Sequence, residues 1–329
     1  MAAVHCVIIS FSKSNRKKKF IYDGDKIITV KNITPYLTEG ENIFIEIRNK
    51  PLCPVPKMSN GNMPADGKNL SMDAKTYEDF IKCEPRAKKY IKRLIGAEEF
   101  INGKERYCLW LVNCTAEEIA SMPLVAERVE AVRQFRLNST FKNTNLIYCP
   151  HLFRDLKNPA NFIVVPAVSS ENRRYIPMGF LNSDYIATTQ VQIIPDATVY
   201  HFGVLISSVH MAWLKTVCGR LESRYRYSKD IVYNNFVWCE CTAEQRAEIE
   251  HTGQGILDTL KKYPDWTLAK LYNDATMPDD LRAAHLANDA AVMAAYGFSA
   301  KTTEAEIISK LFSMYESFNS AAPPKFNYK

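Results

Sequence analysis

Residues 217–228 read Val217-Cys218-Gly219-Arg220-Leu221-Glu222-Ser223-Arg224-Tyr225-Arg226-Tyr227-Ser228, and Tyr233-Asn234-Asn235-Phe236-Val237-Trp238 follows closely. The run sets three arginines, a glutamate and several aromatics directly after a predicted helix over residues 207–217, with Gly219 as its stop. Arginine forks fit guanine O6 and N7, and a carboxylate accepts from cytosine N4. In an extended segment side chains alternate with a period of two, which predicts Glu222 and Arg224 on one side. One Glu and one Arg placed so can read the two halves of a single C·G pair. Arg220 and Arg226 flank them as further DNA-binding candidates.

The pattern changes on either side of this run. Upstream, short strand-like stretches at 162–165, 175–178, 191–194 and 198–206 make a β-rich middle suited to presenting loops. One such loop, Ser169-Ser170-Glu171-Asn172-Arg173-Arg174-Tyr175, carries hydroxyls, an amide and two arginines, all phosphate or base ligands. A polar turn in which Glu171 pairs locally with an arginine fits the same composition. Beyond Cys241 the pattern turns almost wholly helical. Thr242 and Gln245 form a capping box, and Ile249, Ile256, Leu257 and Leu260 supply an apolar stripe. Further helices are predicted over 278–296, stopping at Gly297, and along Ile307, Leu311, Tyr315 and Phe318, with a frayed Pro323-Pro324-Lys325 tail.

Nearer the start, residues 4–11 are apolar on both faces, which predicts a buried strand. Two more strand runs flank the hairpin-type turn Asp23-Gly24-Asp25. Residues 1–30 thus resemble the last strands of a larger sheet; a small hairpin packed on the next domain fits as well. Helices are predicted over 71–82, 86–94 and 124–135, a strand over 107–112, and a capping box at Thr115 and Glu118. The second helix carries Arg86, Lys88, Lys89, Lys92 and Arg93, a solvated face or a phosphate-facing patch. The fold class is α+β: a mixed α/β domain with a β-rich middle, then an all-helical C-terminal domain.

At 329 residues the chain is long enough for two or three packed units. Lys and Arg number 42 against 36 Asp and Glu, a formal excess of six that permits a polyanionic partner without requiring one. No run of about eighteen apolar residues and no secretory leader pattern is present, so the expectation is a soluble, cytoplasmic protein without a membrane partner. The nine cysteines, odd in number and irregular in spacing, are expected to be free and mostly buried. No dinucleotide loop, P-loop or zinc helix is found, and Cys239-Glu240-Cys241 fails structural-zinc spacing. His210 and Cys218, eight residues apart on one helix, are about 12 Å apart by helix rise, too far for a nucleophilic pair. A hydrogen-bonded core histidine is expected instead. No catalytic, cofactor or metal residue is assigned.

The segments Asn60-Gly61-Asn62-Met63-Pro64, Asp66-Gly67, Glu84-Pro85, Glu99-Phe100-Ile101-Asn102-Gly103, Cys108-Leu109-Trp110-Leu111, Val168-Ser169-Ser170-Glu171, Tyr175-Ile176-Pro177-Met178-Gly179 and the 218–236 run resemble, in order, the C-terminal part of MmeI-like DNA adenine methyltransferases. The resemblance implies closing strands of a methyltransferase sheet at 1–30, a target-recognition domain at 31–240 and a helical domain at 241–329. It implies that Glu222 and Arg224 help specify a base pair beside the methylated adenine, and points to a further specificity position at Gln190. The family's Phe-x-Gly-x-Gly donor loop and catalytic Asn-Pro-Pro-Tyr are absent, so the chain by itself is expected to be inert: an excised fragment, a truncated product or half of a split enzyme. S-adenosylmethionine is expected only in the full-length enzyme. Smaller departures are Lys68, where the family tends to have Gly, and Val237 and Cys239, where prolines are common. The leading expectation is the specificity part of a restriction-modification adenine-N6 methyltransferase, with duplex DNA as partner. The alternative is a non-catalytic scaffold that pairs with a separate methyltransferase chain.

Overall fold

The computed structural model describes residues 7–14, 16–40, 42–139 and 144–320. Residues 4–6 of the first expected strand and the Pro323-Pro324-Lys325 tail lie outside this set. Residues 7–11 are not a buried strand: they pair with nothing described, and Ile8 and Phe11 are 93% and 96% exposed. A strand needs a neighbouring backbone to take up its N–H and C=O groups, and no described strand lies beside this one. The hairpin that follows is as expected, with β1 (Lys19–Asp23) against β2 (Lys26–Val30) and Gly24 at φ 58° in the turn.

Next come β3 (Ser59–Asn60), β4 (Ser71–Asp73), α1 (Ala74–Cys83), a 3-10 turn (Pro85–Tyr90), β5 (Ile91–Ile95), α2 (Ala97–Asn102), β6 (Arg106–Leu109), α3 (Ala116–Ala120), α4 (Pro123–Asn138) and α5 (Thr144–Tyr148). The helix expected over 86–94 is therefore a short 3-10 helix followed by a strand. Its second half is taken by pairing between β6 and a later strand, which buries Leu94 and Ile95. The Thr115–Glu118 capping box forms, and α4 buries Val125, Val129 and Val132 on one face as its spacing demands.

The middle holds β7 (Asn161–Pro166), β8 (Val168–Ser169), β9 (Gly179–Asn182), β10 (Tyr185–Ala187) and β11 (Val191–Pro195). One sheet runs β10-β5-β6-β4 and a second, fully antiparallel, β3-β11-β7-β9. Residues 175–178 are irregular, because Pro177 has no N–H for a ladder, and the strand starts only at Gly179. Residues 198–206, read as a strand, are instead α6 (Val199–Leu205), opened by Thr198 and buried at every position but Val199. A helix enclosed on all sides loses its amphipathic signature, so its β-branched and aromatic residues mimic a core strand.

After α6 come α7 (Ser208–Val217), β12 (Gly219–Leu221), β13 (Arg224–Arg226) and a π-helical turn (Lys229–Tyr233). α7 ends at Cys218 in an extended conformation, and Gly219 opens the next strand rather than capping the helix. The helical end comprises α8 (Ala243–Leu260), α9 (Leu268–Leu271), α10 (Asp279–Ala295) and α11 (Glu304–Ser320), and the Thr242–Gln245 box forms. One hydrophobic cluster joins Ile163, Trp213 and Phe236 of the middle to Ile256, Leu281 and Leu311 of these helices. The helical unit is thus packed on the middle rather than tethered to it. One tight packing point is Gly203 of α6, where a Cβ would lie 2.8 Å from Ile249 Cγ2 and 3.0 Å from the Ile249 carbonyl oxygen on α8.

The eight described cysteines are free, but only Cys53, Cys108 and Cys114 are buried. Cys83 is exposed at the end of α1, and the other four are half-buried. No helix among the described residues is long and apolar enough to cross a membrane.

Candidate nucleic-acid interface

The Arg-rich run folds into a β-hairpin, β12 against β13, with the directly opposed pair Leu221 and Arg224 closing the two-residue loop Glu222-Ser223. Such a ribbon has the dimensions to enter a major groove. The run is not one continuous extended segment, because Glu222 sits in the loop at φ 56°, outside the strand region. The two side chains still meet: Arg224 Nη2 donates to Glu222 Oε2 at 2.7 Å, with Glu222 76% and Arg224 46% exposed. The alternation exposes Arg224 and Arg226 and buries Tyr225 between them. Arg220, directly opposite Tyr225, lays its guanidinium 4.2 Å from that ring's centroid and donates to the Ser223 carbonyl at 3.2 Å. The hairpin is therefore braced by one of its own arginines.

β8 adds a third strand, with Ser169 opposite Tyr225. This brings the 170–174 loop beside the hairpin. Ser169 itself is buried, and Arg173 Nη1 donates to its hydroxyl at 3.4 Å, while burial lowers the Arg173 pKa. Ser170 accepts from the amide of Asn172 at 3.2 Å, so it shapes the loop. The loop is a polar turn, closed by the Arg173 amide on the Ser170 carbonyl at 3.3 Å. Arg174 lines a cavity with Ser208 and Asp289, its guanidinium 5.7 Å from the centroid of the Tyr175 ring.

Gln190 is exposed and lines a groove of about 1040 Å³ with Asn60, Gln192, Arg226, Ser228 and Lys229. The Gln190 carbonyl accepts from the Ala167 amide at 3.0 Å, and the Ala167 carbonyl accepts from Tyr227 at 2.9 Å, so one backbone chain ties this position to the hairpin. Gln192 was missed by sequence reasoning. It is 6% exposed with a buried Oε1 that has no hydrogen-bond partner, on the groove side of β11. The available signal was one amide within the apolar strand Val191-Gln192-Ile193-Ile194.

The basic run 86–93 is mostly engaged within the protein. Arg86 donates to Ser121 Oγ at 2.9 Å, Lys89 to Glu118 at 2.8 Å and Lys92 to the Ser183 carbonyl at 2.5 Å, and Arg93 pairs with Glu105 at 3.2 Å. His210 is a neutral core residue: burial pushes its pKa down to about 3, and Nε2 lies 2.9 Å from the Tyr227 hydroxyl. Among the described residues no cluster of His, Cys, Asp or Glu is arranged to hold a metal ion. The strand–glycine–helix junction at Gly96 does not fit a methyl donor either. Its helix has six residues, and a Cβ there would meet Gln190 Oε1 at 2.3 Å and Glu99 Oε2 at 2.7 Å, so the space is filled.

Residues 39–240 match the family model described as MmeI, target recognition domain, and residues 241–322 the model of the MmeI C-terminal domain. The chain belongs to the MmeI family. This MmeI-family chain is 42% identical over 318 residues to DNA methyltransferase A of Bacillus subtilis (strain 168), matching 96% of itself and 36% of that protein. Its fold superposes with a TM-score of 0.88 and 38% identity on a Type IIL restriction-modification enzyme MmeI solved in complex with DNA, covering 93% of this chain and 42% of that one. The chain thus spans little more than a third of the curated relative's length.

Proposed function

We propose that this chain is the duplex-DNA recognition part of a restriction-modification adenine-N6 methyltransferase, with 31–240 as the recognition domain and 241–329 as its helical support. The observation that carries the reading is the Glu222–Arg224 pair, held 2.7 Å apart on an exposed hairpin loop. A carboxylate and a guanidinium so close match cytosine N4 and guanine O6/N7 across one base pair. Arg220, Arg226, Ser170, Arg173 and Gln190 surround them as base or backbone contacts, whereas Ser169 and Arg174 act from behind. S-adenosylmethionine would be held by the methyltransferase part of the complete enzyme.

The test is selection of bound duplexes from a randomised pool at near-physiological salt, where nonspecific affinity has fallen and base readout remains. Enrichment of a short motif with an adenine near a C·G pair is the expected result; no enrichment by the folded chain rejects the reading. A phosphate contact removed by substitution should weaken all sequences alike and flatten the salt slope by about one unit.

A second reading is favoured by the N-terminal segment, where Val7, Ile8, Ile9, Phe11, Phe20, Tyr22, Ile27 and Ile28 are all exposed. An exposed apolar segment and hairpin of this kind suit docking against a separate methyltransferase chain. Co-purification with such a chain, together with an absence of motif selection, would favour this scaffold role.

A further inference from the structure

The 170–174 loop has two anchors. At its start β8 pairs with β13 of the hairpin. At its end Tyr175 turns inward, 1% exposed, and its hydroxyl donates to Asp289 Oδ2 on α10 at 2.7 Å. The Tyr175 ring stacks on His285 of the same helix, with centroids 4.2 Å apart and planes 15° from parallel. His285 is held in turn by the Tyr272 hydroxyl at 3.3 Å from Nε2. The other Asp289 oxygen, Oδ1, accepts from the Ser208 amide at 2.6 Å, at the N-terminus of α7. A carboxylate is favoured there, because the first amides of a helix have no partner within it. α7 then runs ten residues into Cys218 and the β12–β13 hairpin. One carboxylate of the helical end thus holds both segments that carry the candidate base readers.

We propose that Asp289 is a positioning residue for DNA recognition: it fixes the 170–174 loop through Tyr175 and the reading hairpin through the start of α7. The helical C-terminal unit is then part of the recognition apparatus rather than a passive cap. The inference rests on the recognition reading above. Asp289 never touches DNA in this role, being 6% exposed beneath the loop. Burial raises its pKa, with the hydrogen bonds from Tyr175 and Ser208 and the charge of Arg174 opposing. That cost accords with a carboxylate retained for what it ties together.

The experiment compares Asp289→Asn, Tyr175→Phe and the double variant in the full chain. It measures affinity for the selected motif, affinity for a scrambled duplex, thermal midpoint and amide hydrogen exchange at residues 170–174. The expected result is a loss of about tenfold in the ratio of specific to scrambled affinity for each single variant. Scrambled affinity and salt slope should stay unchanged, and the double variant should be no worse than either single one. A preserved ratio, or parallel loss of both affinities with the thermal midpoint, overturns the proposal. Tyr175→Phe removes a single oxygen, so it carries the test alone where Asp289→Asn does not fold. Should the wild-type chain select no motif, the recognition reading fails, and exchange in the loop decides the anchor separately. Exchange about tenfold faster in Tyr175→Phe supports it, and unchanged exchange overturns it.

Discussion

Arg224 and Glu222 satisfy each other across the tip of the hairpin, Nη2 to Oε2 at 2.7 Å, while both remain open to solvent. An exposed pair of this kind adds little stability, on the order of 0–1 kcal/mol, and can be given up to a base pair at small cost. Neither group needs its partner in order to fold.

Arg224→Ala should therefore leave the thermal midpoint nearly unchanged while costing about 1–3 kcal/mol of discrimination at one base pair. Unchanged sequence preference in selected duplexes would sink the C·G assignment. Glu222→Gly makes the sharper comparison, since Glu222 occupies φ 56° and glycine adopts that conformation freely. It should hold or raise the midpoint and still relax the preference.

Arg136 predicts the opposite phenotype. Only 4% exposed, its guanidinium donates to five carbonyls: Ala65 at 2.8 Å, Leu146 at 2.8 Å, Cys149 at 3.0 Å, Pro64 at 3.2 Å and Leu152 at 2.6 Å. Peptide dipoles from two chain segments thus face the charge, and the nearby Asp66 carboxylate favours it as well. Lysine cannot reproduce the planar fork. Arg136→Lys should cost about 2–4 kcal/mol in a urea titration, from stranded carbonyls and a badly housed ammonium. A loss below the measurement error would show that water replaces the fork.

Lys68, at φ 69°, stands in the left-handed region directly after Gly67 at φ 61°. Its amide donates to Asp66 Oδ1 at 3.0 Å, which locks the turn. Lys68→Gly should relieve roughly 1 kcal/mol of backbone strain, partly offset by a looser unfolded chain. A thermal midpoint that rises or holds fits this account; a clear fall contradicts it.

Acid should destabilise the fold early. Burial pushes His210 and His285 down to about 3 and His201 to about 4. These groups are neutral in the fold and protonate near pH 6.5 when unfolded, so the unfolded state binds more protons below that pH. Their stability contribution is full above pH 6.5 and falls by about 1.4 kcal/mol per pH unit per histidine below it, until the folded values are reached. Asp289, whose pKa is raised, runs the other way and softens the fall. Denaturant midpoints at pH 7, 6 and 5 test this, and His285→Phe, which keeps an aromatic ring against Tyr175, should shrink the slope. A flat profile from pH 7 to 5 would contradict the buried neutral histidines.

Much of the local chemistry is legible without a distant partner. The capping residues Thr115 and Thr242, the turn at Gly24, the Val125-Val129-Val132 face and the helical end all follow from residues within a few positions of one another. Distant contacts decide two segments that local patterns misread. The helix within 198–206 is enclosed on all sides and so lacks an amphipathic signature, and 91–95 is a strand because β6 and β10 pair with it.

The candidate site divides in the same way. The residue types that could grip a base pair, Glu222 with Arg220, Arg224 and Arg226, are written in a single run, since hydrogen-bonding capacity belongs to each side chain. Which of them meet, and what holds them, arose from folding. The hairpin loop turned Glu222 toward Arg224, β8 carried the 170–174 loop alongside, and Asp289, far along the chain, came to rest under Tyr175. Chemical identity is a property of single residues, whereas a binding geometry depends on segments distant in sequence being packed against one another.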